Sequence, residues 1–211
     1  MTRESEDQVQ AGAKPAPVKD EFPAPAAEPV EDASPASAQE PVKKVRARNA
    51  IIFGAVVVGW LILDQLTKAS FASVEVGSVV AGPFFGLVQF ELVHNTGAAW
   101  GLFGDSTPAL GFTSVVVCLA LGFYLFLLNP RSSVGEAVGL SLVFAGGLGN
   151  AIDRFAMGYV VDFIDPVFID FPVFNVADIG VTCGFIIFII SMVVAMFKRN
   201  DGQLPLGDRV E

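Results

Sequence analysis

The segment 159–180 is apolar except for four aspartates, Asp162, Asp165, Asp170 and Asp178, which are its only charged side chains. A carboxylate among Val, Ile, Phe and Pro side chains is unfavourable to ionise. Two such groups within hydrogen-bonding distance share a proton, so the pair can activate a water molecule and protonate a leaving amide nitrogen. Asp162 and Asp178 are the candidate pair for this aspartic-peptidase chemistry. The alternative is that both acids cap helices or face water.

Polar residues elsewhere in the chain also adjoin apolar runs. Asp64 and Lys68 are four residues apart and therefore share one helix face. We consider two interpretations: a simple intrahelical ion pair, or an acid that orients the next segment beside a lysine that reaches toward lipid headgroups. "GNAIDR" (149–154) closes another apolar run. Its Arg154 is expected to tie neighbouring acids or carbonyl groups together, with an electrophilic role as the alternative.

Several other reactive residue types are interpreted as structural or solvated. Asp165 begins an Asp-Pro step, and we expect it to face water together with Asp170. The single histidine, His94, is expected in a solvated loop. Cys118 and Cys183 both fall in apolar runs, where cysteine usually serves as a packing residue rather than a metal ligand.

The composition indicates a membrane protein. Of 211 residues, 53% are hydrophobic and 17% are charged, and the mean hydropathy is +0.58; soluble domains carry about 25% charged residues. Residues 1–49 hold seven of the 13 prolines and nine of the 22 acids, a composition that cannot bury a core. The sequence therefore predicts an all-α membrane protein with a disordered tail over 1–49, a membrane domain over 50–198 and a short tail over 199–211.

Four apolar spans are predicted, at about 50–69, 109–128, 135–155 and 178–197, because a hydrocarbon core of about 30 Å needs about 20 residues. The third span is rich in small residues, which allow helices to approach closely. Basic residues mark the cytoplasmic side of a membrane protein. They precede the first span, occupy the turn between the second and third spans, and follow the fourth span: Lys43, Lys44, Arg46, Arg48, Arg131, Lys198 and Arg199. Both termini are therefore expected in the cytoplasm.

The segment 70–108 is different in kind. "GLVQFELVH" (86–94) alternates in the manner of a half-buried strand, and "SVEVGSVV" (73–80) does so less clearly. We expect a small extracytoplasmic β-sheet resting on the membrane. With this topology, polar groups from four separate stretches meet at the outer membrane boundary, and ionisable residues at such depth indicate function. One outer-face site is predicted.

Five motifs then carry a resemblance to the bacterial lipoprotein signal peptidases, the signal peptidase II family. They are "DQLTK" (64–68), "HNTGAAWGLF" (94–103), "GGLGNAIDRF" (146–155), "VVDFI" (160–164) and "FNVADIG" (174–180). They occur in the family's order among four spans and cover about residues 50–198. Trp100 stands where the family often has Phe, and the tail 1–49 lies outside the resemblance.

The resemblance implies a function and a set of site residues. Asp162 and Asp178 match the family's catalytic pair. Other residues match positions that line or brace the site: Asp64, Lys68, Asn95, Gly97, Asn150, Asp153, Arg154, Asn175 and Ala177. The family removes the signal peptide of a prolipoprotein in the membrane, before a cysteine that already carries diacylglycerol. No metal, cofactor or nucleic-acid partner is expected.

A second function from a different class remains open at this stage. Membrane carboxylates also serve as relays in proton- or cation-coupled transporters and their accessory subunits. Transporters, however, place coupling sites near the midplane, commonly between repeated halves. The sequence shows no internal repeat, and its acids lie at one edge of the spans, which favours the peptidase.

Overall fold

The computed structural model describes residues 41–97 and 106–201. These residues form four long helices, α1 to α4, and three strands, β1 to β3. Along the chain they are α1 (Val42–Ala69), β1 (Val79–Phe84), β2 (Val88–Asn95), α2 (Thr107–Phe123, continued by a π-helical turn at Tyr124–Leu128), α3 (Val134–Met157), β3 (Val160–Pro166) and α4 (Val176–Asp201).

The four predicted spans are confirmed, because all four helices are long and apolar enough to cross a membrane. α3 has the lowest hydropathy of the four, 1.3 against 1.9 to 2.6, and more than half of its apolar stretch is buried. It packs against each of the other three helices. The least apolar helix is therefore the central one, where protein rather than lipid surrounds its small and polar side chains.

Small residues in α3 let α4 approach to backbone contact, as the sequence predicts. A Cβ atom at Gly146 would collide with the carbonyl oxygen of Ala177 in the first turn of α4. A Cβ atom at Gly139 would come within 2.7 Å of the carbonyl oxygen of Gly184. Glycine at position 146 brings the two helices together at the end where Asp178 lies, and glycine at position 139 does so further along α4.

A three-stranded antiparallel sheet, in the order β1-β2-β3, lies at the ends of the helices. β2 and β3 pair so that Val93 lies opposite Asp162 and Asn95 opposite Val160. Leu92, Val161 and Phe163 form the buried core of the sheet. β1 and β2 fall in the predicted β segment, whereas β3 comes from the connection between the third and fourth spans, where no strand was predicted.

Some predicted boundaries need correction. α1 begins at Val42, so residues 42–49 are helical rather than part of a disordered tail. Their contacts explain this: Asn49 Nδ2 donates to Ser132 Oγ at 2.9 Å, and Arg46 Nη2 donates to Phe126 O at 2.6 Å. The strand predicted at 73–80 begins only at Val79. Residues 1–40, the end of the short tail (202–211) and residues 98–105, which include Trp100, lie outside the described residues.

The contact at Gly146 generates the first prediction. Gly146→Val should lower the free energy of unfolding by about 1–3 kcal/mol or more, because the added atoms force α3 and α4 apart. The measurement is thermal unfolding in detergent. Gly122→Val in α2 is the matched control, because a Cβ atom there meets nothing within 4 Å. Equal losses of stability in the two variants would contradict this account of the packing.

Candidate active site

Asp178 is the third residue of α4, and Asn175 precedes that helix as its cap. Asn175 Oδ1 accepts a hydrogen bond from Asp178 N at 3.1 Å, and Asp178 Oδ2 accepts one from Asn175 N at 3.1 Å. Each residue thus satisfies a backbone N–H group that a helix start leaves unpaired. Asn175 therefore caps α4. The reciprocal bonds hold the Asp178 carboxylate at the positive end of the helix dipole.

Asp162 lies in the middle of β3 and is brought to the same place. Gly158, with a φ of 82°, ends α3 in the left-handed conformation that favours glycine, and β3 starts two residues later. Asn175 Nδ2 donates to Asp162 Oδ1 at 2.7 Å. Asn175 therefore contacts both Asp162 and Asp178, so a single residue bridges the two candidate acids.

Two further amides complete the contacts of these acids. Asn95 Nδ2 donates to Asp162 Oδ2 at 2.8 Å, and Asn150 Nδ2 donates to Asp178 Oδ1 at 2.8 Å. All four carboxylate oxygens therefore accept an N–H donor. Burial is the main cause, and the neighbouring Asp178 the second, of a raised pKa of Asp162, which is about 7. The hydrogen bonds from Asn95 and Asn175 and the charge of Lys68 oppose this rise. Near neutral pH, the Asp162 carboxyl is poised between its acid and base forms.

Lys68 is the centre of a buried ion cluster behind the two acids. Its Nζ lies 2.9 Å from Asp64 Oδ2 and 2.9 Å from Asp153 Oδ2, and it donates to Asn150 Oδ1 at 3.0 Å. All three of its N–H donors are thus used inside the protein, and its side chain is only 4% exposed. The expectation that Lys68 reaches toward lipid headgroups is wrong, because two carboxylates compete successfully for its ammonium group. The interaction of Asp64 and Lys68 is also not confined to α1, because Lys68 contacts Asp153 and Asn150 of α3.

The ion cluster is connected to both α4 and β3. Asp64 Oδ1 accepts from the backbone N–H of Ala177 at 3.0 Å, in the first turn of α4. Asp153 Oδ2 lies 3.4 Å from the backbone N–H of Val161, the residue before Asp162. The cluster therefore holds the backbone segments on which both candidate acids are carried.

Arg154 ties carbonyl groups together, which is the contact expected of it. Its Nη1 donates to Asn150 O at 3.3 Å, and its Nη2 donates to Gly97 O at 3.1 Å. Gly97 N in turn donates to Asn95 Oδ1 at 2.9 Å. Arg154 thus holds the turn after β2, and this turn orients the Asn95 amide that contacts Asp162.

Asp162 and Asp178, the two acids that Asn175 bridges, line one cavity of about 460 Å³. Its polar wall is formed by Asn95, Asn150, Arg154, Asp162 and Asp178. The remaining wall is mostly apolar and comprises Val160, Phe171, Pro172, Val173, Phe174, Ile179, Thr182 and Cys183. A cavity that joins a few convergent polar groups to an apolar wall is typical of a binding site for an amphiphilic substrate.

The structure confirms some of the predictions for the remaining acids, the histidine and the cysteines and contradicts others. Asp170 is exposed, as predicted. Asp165 lies within β3, where its carboxylate accepts from Gln89 Nε2 at 2.8 Å, so it is paired rather than solvated. His94 lies in β2 and stacks on Tyr159 instead of occupying a solvated loop. Cys118 is buried, but Cys183 is exposed and lines the cavity, so the packing role predicted for Cys183 is wrong.

Comparison with known proteins assigns the family. Residues 56–194 match the family described as Signal peptidase (SPase) II. The "Lipoprotein signal peptidase" of Microcystis aeruginosa is 39% identical over 142 residues, which cover 66% of this chain and 90% of that protein. The protein of the same name from Staphylococcus aureus is 34% identical and covers 77% and 98% of the two chains. A solved bacterial membrane enzyme has a TM-score of 0.61 at 30% identity and covers 75% and 94% of the two chains. The chain belongs to the signal peptidase II family.

This membership, together with the four apolar helices, makes the protein a multi-pass bacterial membrane protein and favours a peptidase over a transporter. It does not by itself explain every contact in the ion cluster. Gln65, which the sequence analysis did not single out, donates through Nε2 to Asp64 Oδ2 and to Asp153 Oδ1, both at 3.1 Å. Its position beside Asp64 in the first motif was the only signal, since the partner in α3 is 88 residues away.

Gln65 therefore generates a prediction about the ion cluster. Gln65→Glu replaces a donor by a third acid beside Asp64 and Asp153, and like charges in a buried site repel. We expect a loss of stability of about 1.5–3 kcal/mol near neutral pH, measured by thermal unfolding, that shrinks as the pH falls and the introduced carboxyl takes up a proton. Gln65→Leu is the control, because it removes the donor without adding a titrating group and should lose stability to the same extent at every pH. A loss from Gln65→Glu that does not change with pH would contradict the bridging role.

Proposed function

We propose that the protein is an aspartic endopeptidase that removes the signal peptide from lipid-modified prolipoproteins, cleaving before the modified cysteine. The observation that carries this proposal is the bridge at Asn175, which joins Asp162 and Asp178 at the wall of one cavity. Membership of the signal peptidase II family supports the substrate class. The relatives named above are lipoprotein signal peptidases.

The two acids have different roles in the proposed reaction. In the starting state of this reaction the pair holds one proton: Asp162, with its pKa of about 7, carries it, and Asp178 is ionised. Asp178 takes a proton from a water molecule, and the oxygen of that water forms a bond to the scissile carbonyl carbon. Asp162 donates its proton toward the carbonyl oxygen. As the tetrahedral intermediate collapses, Asp162 takes back a hydroxyl proton from it, the C–N bond breaks, and Asp178 donates the proton it took from water to the leaving amide nitrogen, so both acids return to their starting forms.

The apolar wall of the cavity supports the lipid part of the proposal. Phe171, Phe174 and Ile179 stand beside the two acids, so an acyl chain can lie against them while the peptide meets Asp162 and Asp178. Membrane lipid is then the second partner of the site. We place both termini in the cytoplasm and the cavity at the outer face of the bacterial cytoplasmic membrane, because the basic residues near the helix ends, apart from Lys68 and Arg154 on the side of the cavity, flank the opposite ends.

The acid pair is tested by removing one carboxylate at a time. Asp162→Asn and Asp178→Asn should each lower the cleavage rate of a diacylglyceryl-modified precursor by at least about 10²–10⁴-fold, since each removes a proton-transfer group. The measurement is turnover by purified protein in lipid. Asp170→Asn is the matched control, because Asp170 is exposed and does not line the cavity. An unmodified twin of the precursor tests the substrate class, and equal cleavage of the two precursors would contradict it.

The pKa of Asp162 predicts how the activity depends on pH. Because the pKa lies near 7, well above the ordinary carboxyl value of 3.8, Asp162 holds its proton below pH 7 and loses it above. The cleavage rate should therefore fall as the pH rises beyond about 7, approaching about tenfold per unit for one required proton. Rates measured between pH 5 and pH 9 on the same precursor provide the test. A rate that stayed constant to pH 9 would exclude protonated Asp162 as the acid.

A further inference from the structure

The sheet ends in an exposed apolar surface whose residues do not line the cavity. We call it the apolar tip and define it as residues 84–87, in the turn between β1 and β2, together with residues 167–169, which follow β3. The two segments adjoin, since Val167 N donates to Leu87 O at 3.0 Å. Six large apolar side chains of the tip are between 39% and 98% exposed: Phe84, Phe85, Leu87, Val167, Phe168 and Ile169.

Phe85 is the most informative residue of the tip. It is 98% exposed and has a φ of +53°, followed by Gly86 with a φ of +70°. Such a two-residue turn favours Asn, Asp or Gly at its first position, and a bulky residue with positive φ is strained. Neither the conformation of the turn nor burial within this chain accounts for phenylalanine. A contact outside the chain does.

The surroundings of the tip indicate what that contact is. Residues 76–90 contain no charged side chain, and β1 is an exposed edge strand of the sheet. Pro83 and the two irregularities in the pairing of β1 with β2 hinder pairing of this edge with another chain, but they leave its apolar side chains uncovered. At the boundary of a bilayer the same composition is favourable, because apolar side chains such as Phe and Leu can enter the edge of the acyl region.

The tip is also continuous with the surface that faces lipid. The chain from Val167 to Phe171 is exposed and mostly apolar and leads into α4, a spanning helix whose Phe185 and Ile186 are exposed in turn. We propose that the apolar tip inserts into the lipid leaflet on the side of the membrane where the sheet lies, with Phe85 among the acyl chains. A lipid surface fits better than a soluble partner because the four spanning helices already hold it beside the tip.

This insertion would fix the height of the sheet above the membrane. β3 extends from Asp162 to Pro166 at the tip, which is about 13 Å at the usual rise of a strand. A membrane contact at the tip therefore acts, through a rigid strand, on the position of Asp162 relative to the lipid headgroups. The insertion itself requires only that the protein spans the membrane and does not depend on the proposed chemistry.

Site-directed spin labelling tests the insertion without reference to activity. Phe85→Cys, in a Cys118→Ser, Cys183→Ser background, is labelled with a nitroxide in vesicles of phosphatidylethanolamine and phosphatidylglycerol. We expect collisions with oxygen to exceed those with a water-soluble nickel chelate several-fold relative to Glu75→Cys, because Glu75 is charged and exposed. Ile186→Cys is the matched reference for lipid. A label at residue 85 that behaves as at residue 75 would overturn the proposal.

A label at a second position of the tip and a measurement of distances between labels distinguish lipid insertion from contact between two copies. Phe168→Cys samples the other segment of the tip and should also report lipid, so the test survives if Phe85→Cys fails to fold. Dipolar broadening between labels at residue 85 that persists after dilution with excess lipid would instead identify the tip as an interface between two copies. That result would overturn insertion into the leaflet.

Discussion

The rest of the site depends on the burial of one ammonium group among acids. Lys68 lies between Asp64 and Asp153 and also donates to the Asn150 oxygen. Because the Asn150 oxygen is committed to Lys68, the NH₂ group of the same amide must face Asp178. A buried ion pair is favourable only when its remaining hydrogen-bonding groups are satisfied, and this one is satisfied by Gln65, Ala177 and Val161. The interaction that makes the charges tolerable thus also orients the proposed active site.

The balance of charge in this region explains why a proton is retained. Four carboxylates, from Asp64, Asp153, Asp162 and Asp178, share the neighbourhood with only two cationic side chains among the described residues, Lys68 and Arg154. Lys68 is engaged by Asp64 and Asp153, and Arg154 by backbone carbonyl groups. The excess negative charge, added to burial, favours the protonated form of Asp162. In the proposed mechanism this proton is the one that the reaction uses.

The fold provides two kinds of rigidity for these contacts. Glycines in α3 allow backbone contact with α4, so Asn150 and Asp178 approach across a helix interface rather than through long side chains. The sheet brings Asp162 and Asn95 together from the paired strands β3 and β2. Because helices and a sheet carry Asn95, Asn150, Asp162 and Asp178, and Asn175 is fixed as the cap of α4, the geometry of the site is preorganised.

The sequence alone was enough for the four spans, because length and hydropathy are local properties, and for Asp162 and Asp178 as candidates, because carboxylates are conspicuous in apolar company. It could not predict β3: Val160, Val161, Asp162 and Phe163 are all buried, so the alternation that marks a half-buried strand is missing. The partners of Lys68 and Gln65 in α3 were also out of reach. Those contacts join residues more than 80 positions apart, and only the packing of α1 against α3 brings them within hydrogen-bonding distance.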